Sequence, residues 1–203
     1  VSSLVSPQDV LDFWIGEAAT SAEAAGEKNK LWFQKSFETD REIAETFVAT
    51  LAALKNGLAA DWARQGPKAR LAAIIVLDQF SRNIFRGHRF SFAHDAMARN
   101  LMKTGLATDQ DRQLSEAERI FFYLPAEHSE DMNDQRLSVR LFEQLVRDAR
   151  PEFREFCEMT RDYALRHKEV IEKYGRFPHR NAVLKRRSSR DEEDYLAQPG
   201  SGF

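Results

Sequence analysis

Pro67-Lys68-Ala69-Arg70-Leu71-Ala72-Ala73-Ile74-Ile75-Val76-Leu77-Asp78-Gln79-Phe80-Ser81-Arg82-Asn83-Ile84-Phe85-Arg86-Gly87 is the stretch that decides the fold. Gly66-Pro67 opens it and Gly87 closes it, the start and stop punctuation of a helix. At about 100° per residue, Leu71, Ile74, Ile75 and Phe85 make one face. Val76, Leu77, Phe80 and Ile84 cover much of the remainder, so the helix is expected to be buried on most sides. A helix of that kind needs other elements packed around it.

The flanking sequence supplies helices. Ser6-Pro7 reads as an N-cap followed by proline at the first helical position, opening a helix through Val10, Leu11, Trp14 and Ile15. Thr39-x-x-Glu42 predicts a capping box ahead of Ile43, Phe47, Leu51 and Leu54, with Gly57 as the stop. A short helix is predicted over 91–104, ending near Gly105. Ser115-x-x-Glu118 opens another, which is predicted to end before Pro125. A longer helix follows over 130–149. Pro151 restarts the chain into Phe153, Phe156, Thr160, Tyr163, His167, Val170 and Tyr174, closed by Gly175, and Ser189-x-x-Glu192 caps a last short turn. The class is therefore all-α, about nine helices on short connections that imply antiparallel neighbours. One domain is expected over 1–203, with an ordered core over 6–196 and a frayed tail over 197–203. No tetratricopeptide consensus repeats along the chain, so periodicity alone leaves a helical bundle and a solenoid both open.

Composition narrows the functional classes. With 42% hydrophobic residues, 9 Gly and 6 Pro, the chain is too apolar for a disordered segment and too poor in turn residues for a many-stranded sandwich. A net charge of −2 argues against whole-molecule attraction to nucleic acid or to an acidic membrane. A single cysteine, Cys157, excludes an internal disulfide and points to a reducing compartment. Residues 1–15 lack the basic-then-apolar order of a signal peptide, and the apolar run Leu71–Leu77 is far short of the ~20 residues of a membrane span. A cytoplasmic protein is expected.

Polar residues stand where apolar ones belong. Asp78 and Arg82, four apart, fall in the middle of the Leu71/Ile75/Phe85 face, and buried charge needs partners. They read either as a structural ion pair linking helices or as the floor of a site. In a site, Arg82 holds an anion and Asp78 orients it or acts as base, with Gln79, Asn83 and Arg86 alongside. His167 stands on the Phe153/Phe156/Tyr163/Tyr174 stripe and reads as a hydrogen-bonded core histidine; Arg119 reads as an ion-pair partner.

Two loops are dense in polar chemistry. In Glu127-His128-Ser129-Glu130-Asp131 the helix dipole accounts for Glu130 and Asp131, but not for Glu127 or His128. A carboxylate beside a histidine suits a general acid–base pair, and no zinc spacing accompanies it, so no metal is expected. Gly175-Arg176-Phe177-Pro178-His179-Arg180-Asn181 begins a stretch, Arg176 to Arg190, with six Lys or Arg and no acid. It reads either as a basic edge pairing with the acidic 127–134 segment or as a site for phosphate or carboxylate, which guanidinium forks bind well. Nucleic acid fits less well, because the basic stretch is short. Gly-rich phosphate loops, the dinucleotide fingerprint and the Gly-x-Ser-x-Gly elbow are absent. Cys157 reads as a core thiol.

Taken together, Leu77 to Gly87, Pro125-Ala126-Glu127-His128-Ser129-Glu130 and Gly175 to Asn181 resemble the bacterial domain of unknown function 924 family. Asp12-Phe13-Trp14 and Trp32-Phe33 fit as well, and the likeness runs from about residue 8 to 196. The resemblance implies a tetratricopeptide-like helical fold and no particular activity, and the cofactor stays unknown. The chain departs from the family where Ser81 replaces a typical proline, which is expected to relax a helix kink. It departs again where Leu184-Lys185-Arg186 replaces Leu-Gly-Arg.

Function is then expected to be binding of a small anion or an acidic peptide end. Asp78, Gln79, Arg82, Asn83, Arg86, Arg176, His179, Arg180 and Asn181 are the binding candidates, with Glu127 and His128 as candidate catalytic groups. The alternatives are a structural module that binds a protein partner and a hydrolase-type enzyme using the same pocket.

Overall fold

The computed structural model describes residues 3–202; Val1, Ser2 and Phe203, the last being the end of the expected tail, lie outside them. The protein is all-α, and no strand occurs among the described residues. Its helices are α1 (Pro7–Trp14), α2 (Ala22–Phe33), α3 (Phe37–Ala53), α4 (Ala59–Gln65), α5 (Pro67–Ile75), α6 (Ser81–Ile84), α7 (Asp95–Leu106), α8 (Glu116–Glu127), α9 (Met132–Asp148), α10 (Arg154–Tyr174) and α11 (Arg190–Leu196). Helix α2 escaped the sequence reading because it buries only Ala25 and Trp32.

Most ends follow their caps. Ser6 and Ser189 each close a capping box, with Asp9 and Glu192 respectively, and at Ser115 the Glu118 carboxylate accepts the cap N–H at 2.8 Å. Two boundaries correct the sequence reading. The predicted box at Thr39 is displaced, because Ser36 caps α3 instead and accepts the Thr39 N–H at 3.2 Å. Helix α8 does not stop before Pro125 but runs through it to Glu127. A proline inside a helix costs about 3 kcal/mol, and here every residue from Glu116 to Glu127 is buried, which offsets that loss.

The deciding stretch is buried without interruption from Ala69 to Ser81, as its all-round apolarity implies. It is not one regular helix. Between α5 and α6 lies a π turn, Val76–Phe80, in which the Ser81 N–H reaches back to the Val76 carbonyl. Helix α5 touches α1, α4, α7 and α8, so it forms the axis of the core. Trp14 packs edge-on against both Phe80 and Phe121, and Phe47 lies against Phe80. Gly105 allows α7 its close approach: a Cβ there would sit 2.6 Å from Phe122 Cζ and 2.7 Å from Arg70 Cδ. Arg70 itself donates to Gln110, the Leu101 carbonyl and Thr104. No described helix is long and apolar enough to cross a membrane.

Candidate functional site

The π turn with α6, the first residue of α7, the end of α8 and the turn after α10 meet around Asp78. The π turn inserts one residue into the helix, and such single-turn bulges concentrate at functional sites. Asp78 is 1% exposed; its Oδ1 accepts from His128 Nδ1 at 2.8 Å and from Arg82 Nη1 at 3.2 Å. Its Oδ2 accepts from Gln79 at 2.5 Å. Burial pushes this carboxyl upward, but Arg82 and then His128 outweigh it and hold it below the usual carboxylate range.

Arg82 is the hub of the pairing. Its Nη1 donates to the Asp78 carbonyl at 2.7 Å, and its two terminal nitrogens hold Asp95 at 2.8 and 3.0 Å. This is a two-point guanidinium–carboxylate fork.

His128 sits at the C-terminus of α8, where it arrives because the helix continues past Pro125. Its Nδ1 carries a proton, since Asp78 can only accept there; Nε2 has no hydrogen-bond partner among the described residues. Burial, partly opposed by Asp78, lowers its pKa, so the ring is neutral near pH 7. The neighbouring Glu127 turns the other way. Its Oε1 lies 3.1 Å from His167 Nδ1, which donates to the Tyr163 carbonyl at 2.8 Å. Glu127 Oε2 is buried with no partner among the described residues. Burial, and then the Asp78 charge, push the Glu127 carboxyl well above its ordinary value.

Arg180 completes the cluster from the turn Pro178–Arg180. Its side chain is 8% exposed and lies between the rings of Phe92 and Phe177, at 4.5 and 4.6 Å from their centroids. One terminal nitrogen donates to the His128 carbonyl at 2.9 Å, while the other stands 3.9 Å from Asp95 Oδ2. Nε is buried and finds no partner among the described residues. Burial and the adjacent Arg82 lower the guanidinium to about 10. His179, on the same turn, is pushed down to about 4 by burial and then by Arg180.

Seven of the eleven sequence candidates therefore meet: Asp78, Gln79, Arg82, Glu127, His128, His179 and Arg180. The other four face elsewhere. Asn83 and Arg86 both donate to Asp40 of α3. Arg176 pairs with Glu192 at 2.6 Å and lines a separate surface hollow of about 310 Å³ beside Lys173 and Tyr174. Asn181 accepts from Arg186, whose fork grips Glu130 at 2.7 and 2.9 Å, while Glu130 also takes the Phe177 N–H. Asn181 thus supports the turn from behind. That Arg186–Glu130 grip is the pairing of basic and acidic loops that the sequence left open.

Two members of the cluster lie outside the sequence candidates. His167, which reads as a core histidine, is buried, but against Glu127 rather than apolar groups alone. Asp95 drew no attention as an ordinary acid at a helix start. The signal available was a charge count: Arg82 and Arg180 need two carboxylates, and Asp78 supplies one.

Comparison with known proteins places the whole chain. The family model described as "Bacterial protein of unknown function (DUF924)" matches residues 10–200. The chain belongs to this family. A solved structure of a protein of unknown function from Agrobacterium tumefaciens, ATU0120, is 31% identical to it, with a TM-score of 0.78 over 94% of this chain and 96% of that one. No match was found among curated proteins.

Both departures from the DUF924 pattern have a structural counterpart. Ser81, where proline is typical, closes the π turn through its N–H, and its hydroxyl lies 2.9 Å from His94 Nδ1. Lys185, where glycine is typical, has φ +56° and an exposed side chain. Glycine suits that position for its backbone conformation, and space is not the constraint.

Proposed function

We propose that the Arg180 and His128 edge of the cluster binds a small oxyanion, a carboxylate or phosphate carried by a free ligand or by the acidic end of a peptide. The state of Arg180 carries this reading. It is a buried guanidinium with an orphaned N–H, and its nearest carboxylate, Asp95, is already held at both oxygens by Arg82. Leaving one such donor unmade costs about 1–3 kcal/mol, more when the group is charged. An oxyanion accepting from Arg180 Nε recovers that cost.

The surroundings support it. His179 is lowered by burial and then by Arg180, so the Pro178–Arg180 turn presents positive charge. His128 contributes a second donor only after its Nε2 takes a proton, because Nδ1–H is committed to Asp78. Anion binding therefore goes with uptake of one proton and weakens as pH rises.

Titration calorimetry with acetate, succinate and inorganic phosphate at pH 6 and pH 8 tests this on wild type and Arg180→Gln. At least one anion should bind wild type, more tightly at pH 6. Arg180→Gln should lose about tenfold or more, the equivalent of one charge-assisted hydrogen bond. Silence of wild type toward the whole panel, or equal binding by the variant, refutes the reading.

The 2.8 Å Asp78–His128 bond favours one second reading. A buried carboxylate that fixes a histidine tautomer and leaves Nε2 bare is the arrangement of a general base, here for water attacking an ester or phosphoester, with the arginines stabilising the developing negative charge. Turnover abolished in His128→Ala, with the fold retained, supports that chemistry. Inactivity of wild type across such substrates removes it.

A further inference from the structure

We propose that the ligand of this site is a carboxylate that takes the place of Asp95 between Arg82 and Arg180, so that Asp95 is the site's built-in competitor; this rests on the anion-site reading above. Three observations converge on it. Asp95 lies between both arginines, held two-point by Arg82 at 2.8 and 3.0 Å and approached by Arg180 at 3.9 Å. The fork already holds a carboxylate at both oxygens, so a ligand carboxylate fits the place of Asp95 without rearranging Arg82. Arg82 remains 18% exposed, so the fork is reachable from solvent, whereas Asp78 beneath it is sealed.

Charge balance makes the exchange inexpensive. With Asp78 and Asp95 in place, two guanidiniums face two carboxylates. Replacing Asp95 by a ligand carboxylate keeps that balance while the Asp95 side chain moves into water. Arg82 keeps its bonds to the Asp78 carbonyl and carboxylate throughout. Departure of Asp95 breaks no side-chain cap bond of α7, of which Asp95 is the first residue. The arriving carboxylate can approach the Arg180 terminal nitrogen more closely than Asp95, which stops at 3.9 Å.

The test compares wild type, Asp95→Asn and Asp95→Ala in thermal unfolding and calorimetry. The probes are acetate, succinate, inorganic phosphate, and one short acidic peptide with a free or an amidated C-terminus. An internal competitor that leaves the site open in about a tenth of molecules or fewer reduces apparent affinity about tenfold or more. The Asp95 variants should therefore bind carboxylates at least that much more tightly than wild type, and acetate should raise the melting temperature of Asp95→Ala more than that of wild type. A preference for the free over the amidated peptide assigns the carboxylate to a peptide end; equal peptide binding with tight succinate binding assigns it to a free acid.

Wild-type binding that Asp95→Asn fails to improve overturns the displacement and leaves the anion site standing. Absence of binding in wild type and in both variants overturns both. A larger gain for phosphate than for carboxylates overturns the ligand class. If the variants do not fold, the Asp95 side-chain carbon resonance is followed in wild type during succinate titration. It should move to the position of a solvated carboxylate, and an unmoved signal at saturation refutes the exchange.

Discussion

Arg82→Met is the perturbation whose outcome the cluster fixes most closely. The change keeps most of the side-chain length and removes four hydrogen bonds, two to Asp78 and two to Asp95. Asp78 is 1% exposed, so its carboxylate loses its principal cation without gaining water. Removing one partner of a buried pair costs about 3–5 kcal/mol. For a domain of this size each kcal/mol moves the melting temperature by about 2–4 °C, so a fall of roughly 6–20 °C is expected. Scanning calorimetry and urea unfolding both read it. Arg86→Met is the control: Arg86 also grips a carboxylate, Asp40, but is 37% exposed, and pairs of that kind contribute about 0–1 kcal/mol. Adding Asp78→Asn to Arg82→Met removes the stranded charge, so the double variant should be less damaged than the sum of the singles, by about 1–3 kcal/mol. A loss under about 1 kcal/mol for Arg82→Met, or a strictly additive cycle, refutes the claim that this network is desolvated and coupled.

Three further outcomes follow from the same structure. Glu127 is held above its ordinary range, so the stability due to its neutral form is complete below about pH 4.5 and is lost as pH rises toward the folded value. Relative to Glu127→Gln, wild type should weaken between pH 5 and pH 7 with a slope no steeper than about 1.4 kcal/mol per unit, and a flat difference contradicts the assignment. Gly105→Ala should gain about 1 kcal/mol of helix propensity and lose more to the 2.6 Å approach of buried Phe122, for a net loss of about 1–2 kcal/mol in urea; a neutral result means the approach is not close. Lys185→Gly should raise stability by up to about 1 kcal/mol by relieving φ +56°, while Lys185→Val lowers it; the reverse order refutes the conformational account.

The fold was legible because its signals are local. Ser6-Pro7, Gly66-Pro67, Ser115-x-x-Glu118 and Ser189-x-x-Glu192 each mark a helix start that depends on neighbours in sequence, and the all-round apolarity of 67–86 named the axial helix. Where tertiary burial overrides a local rule, the reading failed: Pro125 does not end α8, because the whole helix is buried. The site was legible in part for the same reason. Asp78 and Arg82 announced themselves as charges on an apolar face, and Glu127 and His128 as groups without a local task. Arg176, Asn83 and Arg86 looked alike in sequence and differ only in which carboxylate the fold brings to them, Glu192 or Asp40. Asp95 is the opposite case, a residue with an adequate local explanation whose partners lie 13 positions back and far ahead in the chain.

The central claim is that Arg180 is a buried cation waiting for an anion. Guanidinium nitrogen resonance spectroscopy tests it most directly, following the Nε–H signals of Arg180 and Arg86 while acetate, succinate and phosphate are added. The account predicts a slowly exchanging Arg180 Nε–H that shifts with a saturable dependence on at least one anion while Arg86 stays still. An Arg180 signal that does not move through the whole panel, or that moves only in step with Arg86, contradicts it.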